Sequence, residues 1–209
     1  MYVPAVFAET DLATVETFID GHPLGVLVLV VDGHAHVDHM PFMRLAALAK
    51  GEQLVAHVSK SNPTWKLVGD GIGAVVVFTG ASAYVSPSLY PSKQTTHEVV
   101  PTWNYASVHL RGTLHTVQDR DDKHDIVERL TRKMESARTV PWSVSDAPDA
   151  YIEKLLTGII GLRFQIDSIE AKFKASQNRL LEDRHGVVAG LSADPATAEA
   201  AAEVASRLP

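Results

Sequence analysis

The chain has 209 residues, 45% of them hydrophobic and 21% charged, with 10 histidines and no cysteine; this is the composition of a folded globular protein. Lacking cysteine, it has no disulfide, zinc ribbon, iron–sulfur cluster or thiol nucleophile. Lys+Arg of 19 against Asp+Glu of 25 give a formal charge of -6, which argues against a whole-surface polyphosphate binder and leaves room only for a local basic site.

In chain order, Met1 to Phe7 lacks the basic-then-apolar pattern of a signal peptide. Asp11 is placed to cap a first helix whose Leu12, Val15, Phe18 and Ile19 share one face, and Gly21 with Pro23 ends it. Leu24 to Val31 reads as a buried strand. It is the longest apolar run and falls far short of the roughly 20 residues of a membrane helix, so a cytoplasmic protein is expected. Asp32-Gly33 signals a hairpin, with a return strand from His34 to Met43. Gln53–Ser59 and Gly73–Thr79 are two more strands, separated by Asn62-Pro63 and a short helical turn around Trp65. A Pro, Ser and Tyr-rich loop is expected from Tyr84 to Pro101, followed by a strand over Ala106–Thr116. Asp121–Ala137 and Tyr151–Leu156 read as helices, and Ile160 to Ile166 as the last long strand, continuing towards Phe173. Many strands with few, separated helices predict a mainly β (α+β) fold, a closed or partly closed antiparallel barrel with helices outside. One domain is expected over 1–190, with an Ala-rich helix or tail over 191–209.

His34-Ala35-His36-Val37-Asp38-His39 matches HxHxDH, the metal-ligand string of the metallo-beta-lactamase family. There the string occupies an irregular turn, whereas here it falls on a hairpin strand, which sends His34, His36 and Asp38 to one face and His39 to the other. No metal site is assigned to it. No HExxH, Walker loop, GxGxxG or GxSxG string occurs.

Three stretches carry more polar and aromatic specialisation than a barrel core needs. In His57–Trp65, Ser59, Lys60 and Asn62 suit a phosphate, while the same residues read equally as a capped turn. In Pro101–Tyr105, Trp103 and Asn104 suit a flat heteroaromatic ligand or a subunit contact, against the alternative of a buried core tryptophan. In Lys172–Arg179, Lys174, Ser176, Gln177 and Asn178 follow a strand end that reads otherwise as a solvated edge.

Six strings in order, namely Met1-Tyr2-Val3-Pro4 with Phe7, His39-Met40-Pro41-Phe42, HVSKSNPTW from His57, Ala83-Tyr84-Val85-Ser86-Pro87 with Tyr90, PTWNY from Pro101 with Val108-His109 and Gly112, and KASQNR from Lys174, resemble the PaiB family of FMN-binding negative transcriptional regulators. The resemblance runs from Met1 to about Gly190. It implies an antiparallel FMN-binding split barrel and a homodimer with FMN at the subunit interface. Ser59 and Lys60 depart from the alanine and arginine commoner there, as does Ala175 from leucine; lysine keeps the charge but lacks the guanidinium fork. On this basis Ser59, Lys60 and Asn62 are assigned to the FMN phosphate, Phe42 and Trp103 to the flavin-side wall, and Asn104 to polar flavin or loop contacts. Lys174, Ser176, Gln177 and Asn178 complete the cofactor set. No catalytic residue is assigned. The charge balance and the lack of a basic recognition helix argue against direct DNA contact. A flavin-dependent oxidoreductase is the second reading, and a metallohydrolase using HxHxDH the third.

Overall fold

Local chemistry sets the first elements. In the computed structural model, which describes Met1 to Pro209, a 3-10 turn at Ala5–Phe7 leads into α1 (Leu12–Gly21). Asp11 starts α1 by accepting the Thr14 backbone N–H through Oδ2 at 3.1 Å. β1 (Leu24–Val31) and β2 (His34–Pro41) then pair antiparallel, with Val31 opposite His34. Their two-residue turn places Asp32 at φ 51° and Gly33 at φ 78°, the left-handed pair that such a turn requires.

β3 (Met43–Arg44) and β4 (Gln53–Ser59) follow, then a 3-10 turn at Pro63–Leu67 and β5 (Ile72–Val85). After α2 (Lys93–Thr96) come β6 (Thr102–Val117), α3 (Arg120–Glu135), α4 (Asp149–Thr157), β7 (Ile159–Lys174), α5 (Leu181–Ser192) and α6 (Ala198–Ser206). The strands form one seven-stranded sheet in the order β2-β1-β5-β6-β7-β4-β3. Pairs β1–β5, β3–β4 and β4–β7 are antiparallel, like the hairpin. The mainly β pattern with flanking helices is the one that the strand periodicities implied.

Two long strands exceed their expected limits for an identifiable reason. β5 runs on through Thr79-Gly80-Ala81-Ser82, small and polar residues that break the apolar alternation, before burial resumes at Ala83 and Val85. β6 begins at Thr102, because its inward position 104 holds an asparagine, only 3% exposed, where an apolar residue would have announced the strand. The sequence pattern predicts no helix over α5, since Gly186 and Gly190 lower its helix propensity. Gly186 is there for contact: a Cβ would lie 2.2 Å from the Leu89 carbonyl oxygen.

The chain forms two compact units. Unit 1 comprises Met1–Phe18, Thr79–Val108 and Glu170–Pro209; unit 2 comprises Ile19–Phe78 and His109–Ile169. Unit 1 packs Ala83, Val85, Tyr90 and Ala175 with Val187 and Leu191 of α5 and Ala200, Ala201 and Val204 of α6. The Ala-rich segment is therefore a packed helix, whose small side chains substitute for a long apolar stripe. Unit 2 packs Met43, Val55 and Val117 against Ile126 and Leu130 of α3. Within it, a Cβ on Gly112 would stand 2.0 Å from the Gln165 carbonyl oxygen, so glycine sets the closeness of β6 and β7.

Candidate functional site

In unit 2 the end of β4 turns sharply. Asn62 caps the following 3-10 turn by accepting the Thr64 N–H at 2.8 Å, and its Nδ2 donates to Asp38. Ser59 Oγ accepts from Ser61 N at 3.2 Å, and Trp65 Nε1 donates to the Lys60 carbonyl at 3.0 Å. The Lys60 N–H is taken by the Gly158 carbonyl at 2.7 Å. These bonds satisfy the backbone donors of the turn and realise the capped-turn reading. Ser59, Lys60 and Ser61 remain exposed, so the ammonium and two hydroxyls are what this turn offers an anion. The amide of Asn62 is already shared between Thr64 and Asp38. Phe42, expected as a wall, is 1% exposed and meets Phe78 edge-on with centroids 6.2 Å apart; its ring belongs to the core.

The histidine string lies along β2, in register with β1. Asp38 accepts from Asn62 and, at 3.2 Å, from the Thr64 hydroxyl, and its other oxygen accepts from the His39 N–H at 2.8 Å. Its carboxylate is thereby a bracket for the β4 turn. Three or more His, Asp or Glu side chains nowhere gather into a group that could hold a metal ion, and the metallohydrolase reading loses its ligand set.

Unit 1 carries the second cluster. Trp103 is 52% exposed and stands 6.2 Å from the ring of Tyr84, itself 52% exposed. It is an open aromatic pair, in place of the buried core tryptophan that single aromatics usually are. Lys174 donates to the Thr102 hydroxyl and, at 2.8 Å, to the Trp103 carbonyl. Burial holds its ammonium below the usual lysine range, repulsion from Lys172 and Arg179 adds to this, and Tyr105 opposes it. Asn104 donates to Ser176 Oγ at 2.8 Å. That bond holds Ser176 at φ 63°, the left-handed turn that ends β7. Gln177 closes the same turn, accepting from Ala175 N at 2.7 Å and donating to the Phe173 carbonyl at 2.5 Å. Asn178 is exposed beside them. The strand end is not a solvated edge: Lys172 is 8% exposed, with its ammonium 5.1 Å from the Tyr105 ring and 5.8 Å from the Tyr2 ring.

Residues 1–168 match the family described as "Putative FMN-binding domain". The chain belongs to this FMN-binding family. The Bacillus subtilis protease synthase and sporulation protein PAI 2, the PaiB protein itself, is 30% identical over 193 residues, covering 90% of this chain and 87% of that protein. An uncharacterized protein of Emericella nidulans is 31% identical over 226 residues, covering 91% and 90%. Among solved structures, the FAD and heme binding protein from Mycobacterium smegmatis superposes with a TM-score of 0.60 at 24% identity, covering 80% of this chain and 73% of that one. The shared fold is the antiparallel split barrel that the resemblance implied.

The donor sets fit the cofactor of an FMN-binding family. A phosphate needs cation and hydroxyl donors, which Lys60, Ser59 and Ser61 supply in unit 2. A heteroaromatic ring needs an apolar face with mixed donors and acceptors. Unit 1 presents Trp103, and Asn104 Oδ1 is a buried acceptor with no hydrogen-bond partner. Bound FMN would supply hydride or single-electron chemistry. Sequence reasoning passed over Ser61, Thr102, Tyr84 and Asp38. The apolar alternation starts β6 only at Ala106 and so hides Thr102, and HxHxDH draws Asp38 to a metal-ligand reading.

Proposed function

We propose that this chain is a cytoplasmic, homodimeric flavin-sensing regulator of the PaiB type, with Lys60 and Ser59 as the phosphate-holding residues. Trp103, Asn104, Lys174 and Asn178 are the ring-facing set, on a turn braced by Ser176 and Gln177, contributed in the dimer by the second copy. The match to the FMN-binding family over residues 1–168 carries this reading. The PAI 2 relative, named for protease synthesis and sporulation, supports the regulatory part. The exposed Tyr84–Trp103 pair supports a subunit contact, because open aromatic surface favours association. With a net charge of -6, regulation runs through a protein partner or the state of the flavin rather than through the phosphate backbone of DNA.

Two measurements test this. Titration of apo protein with FMN should quench flavin fluorescence to saturation. A mobility-shift series on the chain's own upstream DNA should show no shift at any salt concentration; a shift that weakens steeply with salt would establish direct DNA binding and remove that part of the proposal.

A further inference from the structure

We infer that a cavity in unit 2, beside the Lys60 turn, is a binding site for a small aromatic carboxylate. The cavity measures about 540 Å³, within the usual range of small-molecule sites. Val127 of α3, Trp142, Ile152 and Leu155 of α4, and Ile159 of β7 form its apolar wall. Two of these, Trp142 at 46% and Leu155 at 48% exposure, leave large apolar faces to water in the free protein. A flat hydrocarbon body laid between them would remove that surface from solvent.

The polar groups of the lining fix the other end of the ligand. They are His57, Ser59 and Lys154. His57 Nδ1 is buried and has no hydrogen-bond partner. Burying an unpaired lone pair costs less than burying an unpaired N–H, which places the imidazole proton on Nε2. Ser59 Oγ accepts from Ser61 N at 3.2 Å and its hydroxyl proton is kept for the FMN phosphate of the proposed function, so His57 and Lys154 are the groups left for the ligand. Lys154 brings an exposed ammonium. Both are donors, and one is a cation, which calls for an anionic acceptor. The lining contains no carboxylate or amide side chain. The imide edge of a flavin, which alternates acceptor and donor, is a poorer match than a carboxylate, and this site needs no flavin to be bound.

The test is isothermal titration of the full chain, apo and FMN-loaded, with 1-naphthoate and with the neutral 1-naphthylmethanol as control. Saturable naphthoate binding is expected in both forms, with the alcohol about tenfold weaker or worse for want of a charge-assisted bond. Leu155→Trp, at a half-exposed position that leaves the core intact, should abolish it by filling the cavity, and His57→Phe should weaken it about tenfold. Absence of saturable binding, equal affinity for the alcohol, indifference to Leu155→Trp, or displacement of naphthoate by FMN would each overturn the assignment.

Discussion

Lys60 is the exposed cation of a turn whose backbone donors are satisfied internally. Its removal therefore deletes charge from the site without disturbing the fold. Lys60→Ala should lower FMN affinity by about tenfold to a hundredfold, the worth of a charge-assisted hydrogen bond, with an unchanged melting temperature. Lys60→Arg, which restores the residue commoner in the family, should bind FMN at least as well. His57 makes the matching pH prediction. Burial holds its imidazole below the ordinary value of 6.5. As pH falls through that value the unfolded chain takes up a proton that the folded chain resists, so stability is present above it and is lost towards the depressed folded pKa. Thermal melts should show the midpoint falling below about pH 6.5, and His57→Phe should flatten that part of the profile. An unchanged profile in the variant would assign the acid sensitivity to other groups.

At the level of elements, the places where sequence reasoning stopped short share a cause. β1, β2, β4 and the α1 cap were legible because apolar periodicity, Asp32-Gly33 and Asp11 all act locally. The extensions of β5 and β6 were not, because the added residues include Gly80 and the buried Asn104, which strand propensity does not favour. The candidate site behaves the same way. The HVSKSNPTW and KASQNR strings fall on two strand-end turns, but they could not say that Asn62 and Gln177 brace those turns while Phe42 fills the core. Close approach gives the test at this scale. Gly112→Ala sets a methyl 2.0 Å from a carbonyl oxygen of β7, and the forced separation of the strands should cost about 1–3 kcal/mol or more in chemical denaturation. Gly33→Ala, where no atom lies within 4 Å and only the φ of 78° is strained, should cost no more than about 1–2 kcal/mol. Equal losses in the two variants would contradict the contact argument.

For the whole molecule, the split-barrel fold and the family place FMN chemistry on a chain whose histidines had suggested metal. No helix is long and apolar enough to cross a membrane. Open aromatic surface at Tyr84 and Trp103 belongs to a subunit contact in the proposed dimer. Light scattering should accordingly give about twice the chain mass of 22.7 kDa, and Trp103→Ser should shift the molecule towards the monomer. The most direct test of the account is the visible spectrum of the protein after incubation with FMN and desalting. Retained flavin absorbance at one FMN per chain, reduced in Lys60→Ala, is the predicted result; a colourless protein that returns all its flavin to the small-molecule fraction would contradict it.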